Sequence, residues 1–344
     1  MAGTGRRGRK KTGPSIEDVA RLAGVSAQTV SRVSTGAENV RADTRERVIA
    51  AMNHLGYSPN HAARALRNGA FQTIGLMAHR FERTGEALIT EGVIAACEQR
   101  GFAVTIVSVQ GTGSEGWASA ASRLSHQAID GLVIIRVEVE NFETLALPQT
   151  LPVAVSDSRF VDQYPAVGGD QVQGSRDATR HLLDLGHRTV HHLAGPADSD
   201  PANVRLAAWR RTLENAGIRP PGPWRGDWSA QSGYQLGQRI AADPSVTALF
   251  CANDEMAAGV MRAMHEHDRG VPRDISIVGF DGIALGEFFF PPLTTVRQDF
   301  HTIGQELVRL VVEQIGSKAS RVPERVLVPT ELIVRGTTSA PGGR

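Results

Sequence analysis

From residue 71 onward, short apolar runs typical of β-strands alternate with longer amphipathic runs typical of α-helices. This alternation predicts an α/β body in which parallel sheets are covered by helices on both faces. The expected strands are Thr73–Ala78, Ala103–Val109, Gly131–Val137, Pro152–Val155, Val190–Ala194, Ala248–Ala252 and Ser276–Phe280. Helices between them include Glu86–Arg100, Arg176–Leu185, Val204–Ala216, Glu255–His267 and Ile303–Ile315.

An all-α head precedes this body. Ser15 followed by Asp18 resembles a capping box, which predicts the start of a helix. Gly24 supplies a sharp turn, and Ser26 is suited to cap a second helix that runs through Val33. Two short helices joined by a tight turn predict a helix-turn-helix.

Charge is divided unevenly along the chain. Residues 1–70 carry 12 Lys and Arg against 5 Asp and Glu, a net charge of +7, whereas the remainder carries 25 against 31, a net charge of −6. A basic head on an acidic body indicates that the head binds a polyanion. A solvated basic tail and a solvent-facing polar helix remain the alternatives. The outward face of the second helix offers groups suited to base edges in the major groove, namely Ala27, Gln28, Ser31 and Arg32.

A short basic segment follows the head. After a third helix, expected at about residues 42–55, Gly56–Asn60 breaks the chain. Residues 61–68 are rich in alanine, and Leu66 is their only large apolar residue. A helix this short is marginal in water by itself, so we expect it to fold only when paired with a second copy on DNA.

The head resembles the lactose-repressor (LacI) family of transcriptional regulators. Asp18–Val33, Thr44–Val48 and Gly56–Leu66 carry the resemblance, which extends over about residues 15–338. It implies that Leu66 is a wedge inserted into the minor groove, where an apolar side chain kinks DNA. The DNA-contacting residues that it implies are Ala27, Gln28, Ser31, Arg32, Asn39, Arg64 and Leu66.

Polar side chains stand where several predicted strands end. Ligands of parallel sheets bind beyond the carboxyl ends of the strands. Carboxylates and arginine bond pairs of hydroxyls, and an aromatic ring covers the apolar face of a sugar, so the pattern predicts a neutral polyhydroxylated ligand. The alternative for each residue is a helix cap or a local bond, and Asp254 is the strongest candidate for a cap. The residues concerned are Asp157, Arg205, Trp228, Asn253, Asp254 and Asp281.

The body of the LacI family is similar to periplasmic sugar-binding proteins, in which three crossovers join two doubly wound lobes with ligand in the cleft. Here the similarity, closest to the galactoside-binding type, is carried by Arg205–Trp209, Gly226–Gly233, Ala252–Ala257, Ser276–Asp281 and Pro292–Phe300. It implies sugar contacts from Asp157, Arg205, Trp228, Asn253, Asp281 and Gln298, and a first-lobe wall of Ala87, Ile89 and Phe300.

Two charges depart from the galactoside-binding pattern. Arg83 and Glu86 stand where smaller or apolar residues are usual in that type. The sequence therefore leaves the identity of the sugar open.

The resemblance also implies a domain plan. A basic disordered tail (1–14) precedes the helix-turn-helix domain (15–58) and a hinge helix or linker (59–70). The ligand-binding and dimerisation body (71–338) consists of a first lobe of about 71–170 and 299–328 and a second lobe of about 171–298 and 329–338, and a tail (339–344) follows.

The function predicted from these features is a homodimeric repressor, released from a pseudo-palindromic DNA operator by a sugar or glycoside, galactoside-like, inducer. The alternatives are another small metabolite as effector, or an effector that acts as corepressor. A secreted sugar-binding protein is disfavoured by the basic helix-turn-helix and by the lack of an apolar stretch after the basic N-terminus. A glycoside-processing enzyme, with Asp157 and Asp281 as an acid–base pair, is the remaining rival; no enzymatic activity and no cofactor are expected.

Several other features bound the function. No run of about 18 apolar residues occurs, so we expect no membrane span. We expect a cytoplasmic location. His191 and His192 would point to opposite faces of a strand, so together with His187 they do not predict a metal site. Cys97 and Cys251 lie in apolar segments and predict buried thiols. The chain ends without an apolar heptad tail, which favours a dimer over a tetramer.

Overall fold

The computed structural model describes residues 13–34, 37, 39–57, 70–79, 81, 83–109, 114–125, 128–135, 147–148, 150–156, 163–317 and 324–342. The chain divides after Phe71 into two compact units, a helical head and an α/β body.

The first helix of the head, α1 (Ile16–Ala23), begins with the predicted capping box. The Ser15 hydroxyl accepts a hydrogen bond from the Asp18 backbone N–H at 3.3 Å, and the Asp18 carboxylate accepts one from the Ser15 backbone N–H at 2.9 Å. Gly24, with a φ of 65°, ends α1 in the left-handed conformation that glycine adopts without strain. The predicted cap and turn are confirmed.

The second and third helices, α2 (Ala27–Ser34) and α3 (Ala42–Leu55), complete the head. The Ser26 hydroxyl accepts a hydrogen bond from the Thr29 backbone N–H at 3.2 Å, so α2 has the cap that the sequence predicts. Apolar residues at helical spacing turn inward and form one core. Its fully buried members are Val19, Val30 and Val48, one from each helix.

The body contains twelve described strands and seven described α-helices. In chain order the strands are β1 (Thr73–Ala78), β2 (Ala103–Ser108), β3 (Gly131–Ile135), β4 (Val153–Ser156), β5 (Ala166–Gly169), β6 (His191–Ala194), β7 (Trp224–Arg225), β8 (Ala248–Cys251), β9 (Ser276–Asp281), β10 (Thr294–Arg297), β11 (Arg325–Val328) and β12 (Glu331–Ile333). The helices are α4 (Thr84–Gln99), α5 (Ser114–Ser125), α6 (Gln171–Asp184), α7 (Asp200–Asn215), α8 (Ala230–Ala241), α9 (Asp254–Glu266) and α10 (Phe300–Gly316).

These strands form two six-stranded sheets. The first sheet is parallel throughout and has the order β11-β5-β4-β3-β1-β2. The second has the order β12-β10-β9-β8-β6-β7, and only β12 runs antiparallel to its neighbour. Helices cover both faces of each sheet: α4 and α10 lie opposite α5 on the first, and α8 and α9 lie opposite α6 and α7 on the second. The predicted fold class, a helix-turn-helix head and a body of two doubly wound lobes, is confirmed.

The chain passes three times between the first lobe (72–169, 300–317 and 324–328) and the second lobe (171–297 and 331–342). The crossovers lie at Asp170, at Gln298–Asp299 and at residues 329–330. Each leaves the carboxyl end of a strand, so the crossovers converge at the edge where ligands of parallel sheets bind.

Some element boundaries differ from the sequence prediction. Helix α6 begins at Gln171 rather than Arg176, and α10 begins at Phe300 rather than Ile303. The buried positions at the start of α6 are Gln171, Gly174 and Ser175, so apolar periodicity does not mark where that helix begins. In α10 the apolar face does extend back to Phe300. Their N-caps are Asp170 and Asp299, which accept hydrogen bonds from helix N–H groups at 2.8 and 2.9 Å.

The strands β5, β7, β10, β11 and β12 and the helices α5 and α8 are not among the elements that the sequence predicts. The strands contain two to four residues, too few for a period of two to show, and β5 includes two glycines. Beyond the last strand, Ser339 is not part of a free tail, because its backbone N–H donates to the Ser276 hydroxyl at 3.0 Å. Helix α10 ends at Gly316, one residue beyond the predicted end at Ile315.

Candidate functional site

The outward face of α2 carries the residues expected to contact DNA. Gln28 and Arg32 are exposed, and Ala27 and Ser31 are half-buried, while Val30 and Val33 point into the core of the head. Asn39 is exposed between α2 and α3. Arg64, Leu66 and the expected hinge helix lie outside the described residues.

A cavity of about 320 Å³ lies between the two lobes of the body. Most of the residues that line it are polar or charged, which matches the expectation of a ligand rich in hydrogen-bonding groups. Of the sequence-predicted residues it brings together Arg205, Trp228, Asn253 and Asp281. Sequence reasoning did not single out the other second-lobe residues of the wall, Asp227, Ser229, Ala230 and Glu255, nor Thr84 and Gly85, which with Arg83 form the first-lobe side.

A buried ion pair stands at the base of the cavity. Nη2 of Arg205 lies 3.2 Å from Oδ1 of Asp281, and the two side chains are 1% and 9% exposed. The guanidinium also donates to the carbonyl of Ala252 and lies over the ring of Phe280, 3.8 Å from its centroid. These contacts compensate the desolvation of the arginine and fix its orientation.

Two glutamines close this ion pair into a ring of hydrogen bonds. Nε of Arg205 donates to Oε1 of Gln171 at 2.7 Å, and Nε2 of Gln171 donates to Oε1 of Gln298 at 2.8 Å. Nε2 of Gln298 then donates to Oδ1 of Asp281 at 2.7 Å. Gln171 is absent from the sequence-predicted set because β5, which it follows, was not predicted; identifying that strand would have placed it at a carboxyl end.

Two cavity residues hold backbone conformations that non-glycine residues rarely adopt. The φ of Asp281 is 104° and that of Trp228 is 77°. Such conformations cost about 1–3 kcal/mol each and cluster at binding sites. The ring of Trp228 lies against Gly195, where an added Cβ would come within 2.6 Å of it. Nε1 of Trp228 is buried and has no acceptor among the residues that the structure describes.

The helix cap beside the cavity is Asn253, and the sequence-based choice of Asp254 is wrong. The Asn253 side chain accepts a hydrogen bond from the Met256 backbone N–H at 3.1 Å, because Asn253 still has extended backbone while Asp254 is already helical. Asp254 instead accepts hydrogen bonds from the Thr295 hydroxyl at 2.6 Å and the Gly282 backbone N–H at 2.8 Å. Burial raises the pKa of Asp254 to about 8 despite these bonds.

The mouth of the cavity is charged. Arg83 lies 3.7 Å from Glu86, whose side chain is 1% exposed. On the second lobe, the Ser229 hydroxyl donates to Asp227 at 2.5 Å and holds the pKa of that carboxyl below its ordinary value. The first-lobe wall, formed by Arg83, Thr84 and Gly85, is polar rather than apolar.

Three residues of the predicted first-lobe wall are placed elsewhere. Ile89 is fully buried and Phe300 is 5% exposed, and both pack in the core of the first lobe. Ala87 is exposed on α4 and is not among the residues that line the cavity. The inward turns of α4 and α10 are used for packing between these two helices, so their apolar side chains do not reach the cavity. Gln298 lies next to the cavity through its bond to Asp281, and Asp157 is outside the described residues.

The buried residues His187 and His192 and both cysteines serve packing. His192 stacks on Trp209 and Phe250, and burial lowers its pKa to about 3. His187 bonds to Thr247 at 3.0 Å, and burial lowers its pKa as well. Both cysteines are buried, and burial raises the pKa of each thiol. In the described part of the chain no group of three or more His, Cys, Asp or Glu is placed to hold a metal ion.

None of the described helices is long and apolar enough to cross a membrane.

Two family models match the chain. The model described as "Bacterial regulatory proteins, lacI family" matches residues 15–60, and the model described as "Periplasmic binding protein-like domain" matches residues 179–338. Together they cover α2 and the second-lobe side of the cavity.

Curated relatives match over nearly the full length. The Lactose operon repressor of Escherichia coli (strain K12) is 36% identical over 333 residues, which are 95% of this chain and 91% of that protein. The HTH-type transcriptional repressor PurR of Haemophilus influenzae (strain PittEE) is 30% identical over 328 residues, which are 93% of this chain and 97% of that protein.

Solved structures show the same fold. The Lac repressor dimer bound to operator and the anti-inducer ONPF matches with a TM-score of 0.83 at 35% identity, covering 96% of this chain and 100% of that one. The complex of the transcriptional regulator CelR with cellobiose matches with a TM-score of 0.72 at 30% identity, covering 94% and 99%.

Proposed function

Because the chain belongs to the lacI family of bacterial regulatory proteins and is a DNA-binding transcriptional repressor, we propose that a sugar or glycoside held in the inter-lobe cavity controls its hold on DNA. Lactose-type galactosides and cellobiose-type disaccharides are the two ligand classes that the relatives suggest. The ligand acts as an inducer, which lowers the affinity for the operator.

The observation that carries this proposal is the composition of the cavity wall. Asp281 and Arg205 offer an acceptor and a cation at its base, and Trp228 offers a ring for an apolar sugar face. Paired hydroxyls satisfy such charged groups without bringing a net charge into the site. The alternatives are another small metabolite as effector and an effector that acts as a corepressor.

We infer that the head reads DNA through α2, with Ala27, Gln28, Ser31 and Arg32 at base edges. Asn39, Arg64 and Leu66 complete the proposed contacts. Two copies of the chain would bind the two halves of a pseudo-palindromic operator, since a two-fold dimer matches a two-fold site. The protein would act in the cytoplasm, where its DNA is.

Coupling between ligand and DNA follows from thermodynamic linkage. A ligand shifts the equilibrium between a DNA-binding and a released state only through its different affinities for the two. The cavity is formed by both lobes, so its shape changes when the lobes move relative to each other. A sugar that fits one arrangement better therefore favours that arrangement.

A thermal-unfolding screen tests the ligand class. Lactose, cellobiose and methyl galactoside form the sugar set, and a purine base and an amino acid serve as non-sugar controls. A sugar present at about 100 times its Kd stabilises the folded chain by about 2.7 kcal/mol and raises Tm. A shift with a control compound and none with any sugar would contradict the proposal.

A selection from random duplexes tests the DNA-binding face. The wild-type chain should enrich one pseudo-palindromic sequence, and the sugar that raises Tm should release it. Gln28→Ala should lose preference at one position in each half-site, by about 1–3 kcal/mol, while salt-dependent binding to random duplex persists. Unchanged enrichment by Gln28→Ala would place the recognition surface elsewhere.

A further inference from the structure

We propose that Gln171 is a positioning residue of the ligand site, which fixes the amide of Gln298 so that Asp281 presents a single free oxygen to the ligand. The inference rests on the proposed function, since it assumes that the cavity binds the effector. Its starting point is the ring of hydrogen bonds that joins Arg205, Gln171, Gln298 and Asp281.

The direction of every bond in the ring is determined by its charged members. Nε of Arg205 only donates, so the carbonyl oxygen of Gln171 must face it. The NH₂ group of Gln171 is then left to face Gln298, which must accept through its own carbonyl oxygen. The NH₂ group of Gln298 consequently faces the carboxylate of Asp281. An amide in the opposite orientation at either glutamine would place like groups against each other.

This arrangement decides what Asp281 offers to the cavity. Oδ1 accepts from both Arg205 and Gln298, at 3.2 and 2.7 Å. Oδ2 accepts no hydrogen bond from any described residue, although Asp281 lines the cavity wall. One acceptor of fixed direction therefore remains, and it selects a ligand hydroxyl that donates at that point.

The surroundings of Gln171 are compatible with this role, because they keep water away from its amide and let it reach Gln298. Gln171 is 7% exposed and Gln298 is 5% exposed, so water does not compete for their amides. A side chain at position 169 would meet Oε1 of Gln298, and the absence of one at Gly169 is what allows the two amides to meet.

The same bond joins two crossovers. Gln171 is the first residue after the crossover at Asp170, and Gln298 belongs to the next crossover. A ligand that donates a hydrogen bond to Oδ2 of Asp281 therefore acts on a network that continues into two of the three crossovers between the lobes. Gln171 thus links the ligand site to the segments about which the lobes move.

The decisive variant is Gln171→Glu, because it separates the two bonds of Gln171. A carboxylate still accepts from Arg205, but it has no N–H to offer to Gln298. The Gln298 amide then turns its NH₂ group toward position 171 and its carbonyl oxygen toward Asp281, which displaces the Asp281 carboxylate. In a Gln298→Ala background there is no amide to turn, so Gln171→Glu loses its effect.

Titration calorimetry with lactose and cellobiose measures this difference on the full-length chain. We expect Gln171→Glu to weaken binding by about tenfold or more in the wild-type background and by less than about twofold in the Gln298→Ala background. Val172→Ala, a change at an exposed neighbouring residue, is the matched control and should leave affinity unchanged. Equal weakening in both backgrounds, or none in either, would overturn the inference.

Denaturant unfolding of the wild-type chain, Gln171→Glu, Gln298→Ala and the double variant separates this inference from the proposed function. If neither sugar binds the wild-type chain, the proposed sugar class is wrong, but the amide orientation still affects stability. Gln171→Glu should then raise the equilibrium constant for unfolding by about fivefold or more only when Gln298 is present. An equal rise in both backgrounds would show that Gln171 merely packs.

Discussion

The hydroxyl of Thr84, in the first lobe, donates a hydrogen bond to Oε1 of Glu255, in the second. The other oxygen of Glu255 accepts one from the Asn253 side chain at 2.8 Å, and Asn253 also caps α9. The contact thus crosses the mouth of the cavity and continues into the helix that begins beside it.

Thr84→Val tests how strongly this contact holds the lobes together. Valine keeps the shape of threonine but removes the hydroxyl, and a hydrogen bond to a charged group contributes about 1.5–3 kcal/mol when well shielded. We expect Thr84→Val and Glu255→Gln to be coupled by about 1 kcal/mol in a double-mutant cycle on urea unfolding, since the site is half-exposed. Thr90→Val, whose hydroxyl bonds within α4, is the control and should add independently to Glu255→Gln. If the effects of Thr84→Val and Glu255→Gln were also additive, the contact between the two residues would contribute nothing to stability.

Arg205→Met should be strongly destabilising as well as unresponsive to ligand. It leaves the Asp281 carboxylate buried without its cation, and breaking a buried ion pair from one side costs about 3–5 kcal/mol. Arg205→Met combined with Asp281→Asn removes both charges and should recover part of that loss without restoring the ligand response. Urea unfolding and operator release report the two effects separately. A double variant less stable than Arg205→Met would contradict this account of the pair.

His192 should make the protein less stable in acid. Burial lowers its pKa from an ordinary 6.5 to about 3 in the folded chain. Between these values the unfolded chain binds one proton more than the folded chain, so the free energy of unfolding falls as pH falls below 6.5. His192→Gln should flatten this part of the pH dependence, whereas His265→Gln, at an exposed site, should not. Parallel profiles for all three chains would disprove the assignment.

Asp254 should have the opposite effect from His192 and make the protein less stable as pH rises. Its pKa rises from 3.8 to about 8 on folding, so between these values the folded chain holds a proton that the unfolded chain has lost. The free energy of unfolding therefore decreases as pH rises through that window. Asp254→Asn keeps the shape but does not titrate, and should remove the decrease in urea unfolding measured from pH about 5 to about 8. Asp184→Asn, at an exposed position, is the control, and a slope unaffected by Asp254→Asn would refute the assignment.

Much of the candidate site was predictable as a set of residues but not as a set of roles. The sequence pattern places Arg205, Trp228, Asn253 and Asp281 near strand ends or a helix start, and all four line the cavity. Ile89 and Phe300 were placed there by resemblance and instead pack in a core. Apolar residues near a cleft serve a ligand or a helix contact equally well, and only the packing of α4 against α10 distinguishes the two.

The features that the sequence alone specified are those that depend on interactions between residues close together in the chain. The Ser15–Asp18 capping box spans three positions and the apolar faces repeat within one or two helical turns, so both are legible in a short stretch of chain. The alternation of strands and helices, which specifies the class of the body, is likewise built from segments of a few residues to some fifteen.

Tertiary structure alone decided which polar groups meet. Gln171 and Gln298 are 127 positions apart, and Thr84 and Glu255 are 171 positions apart, yet each pair shares a hydrogen bond. A hydrogen bond requires that its donor and acceptor be placed to within tenths of an ångström. A sequence pattern places a side chain only on a face or at a strand end. The sequence therefore specified the lobes and the polarity of their edges, and the crossovers, by bringing those edges together, specified the site.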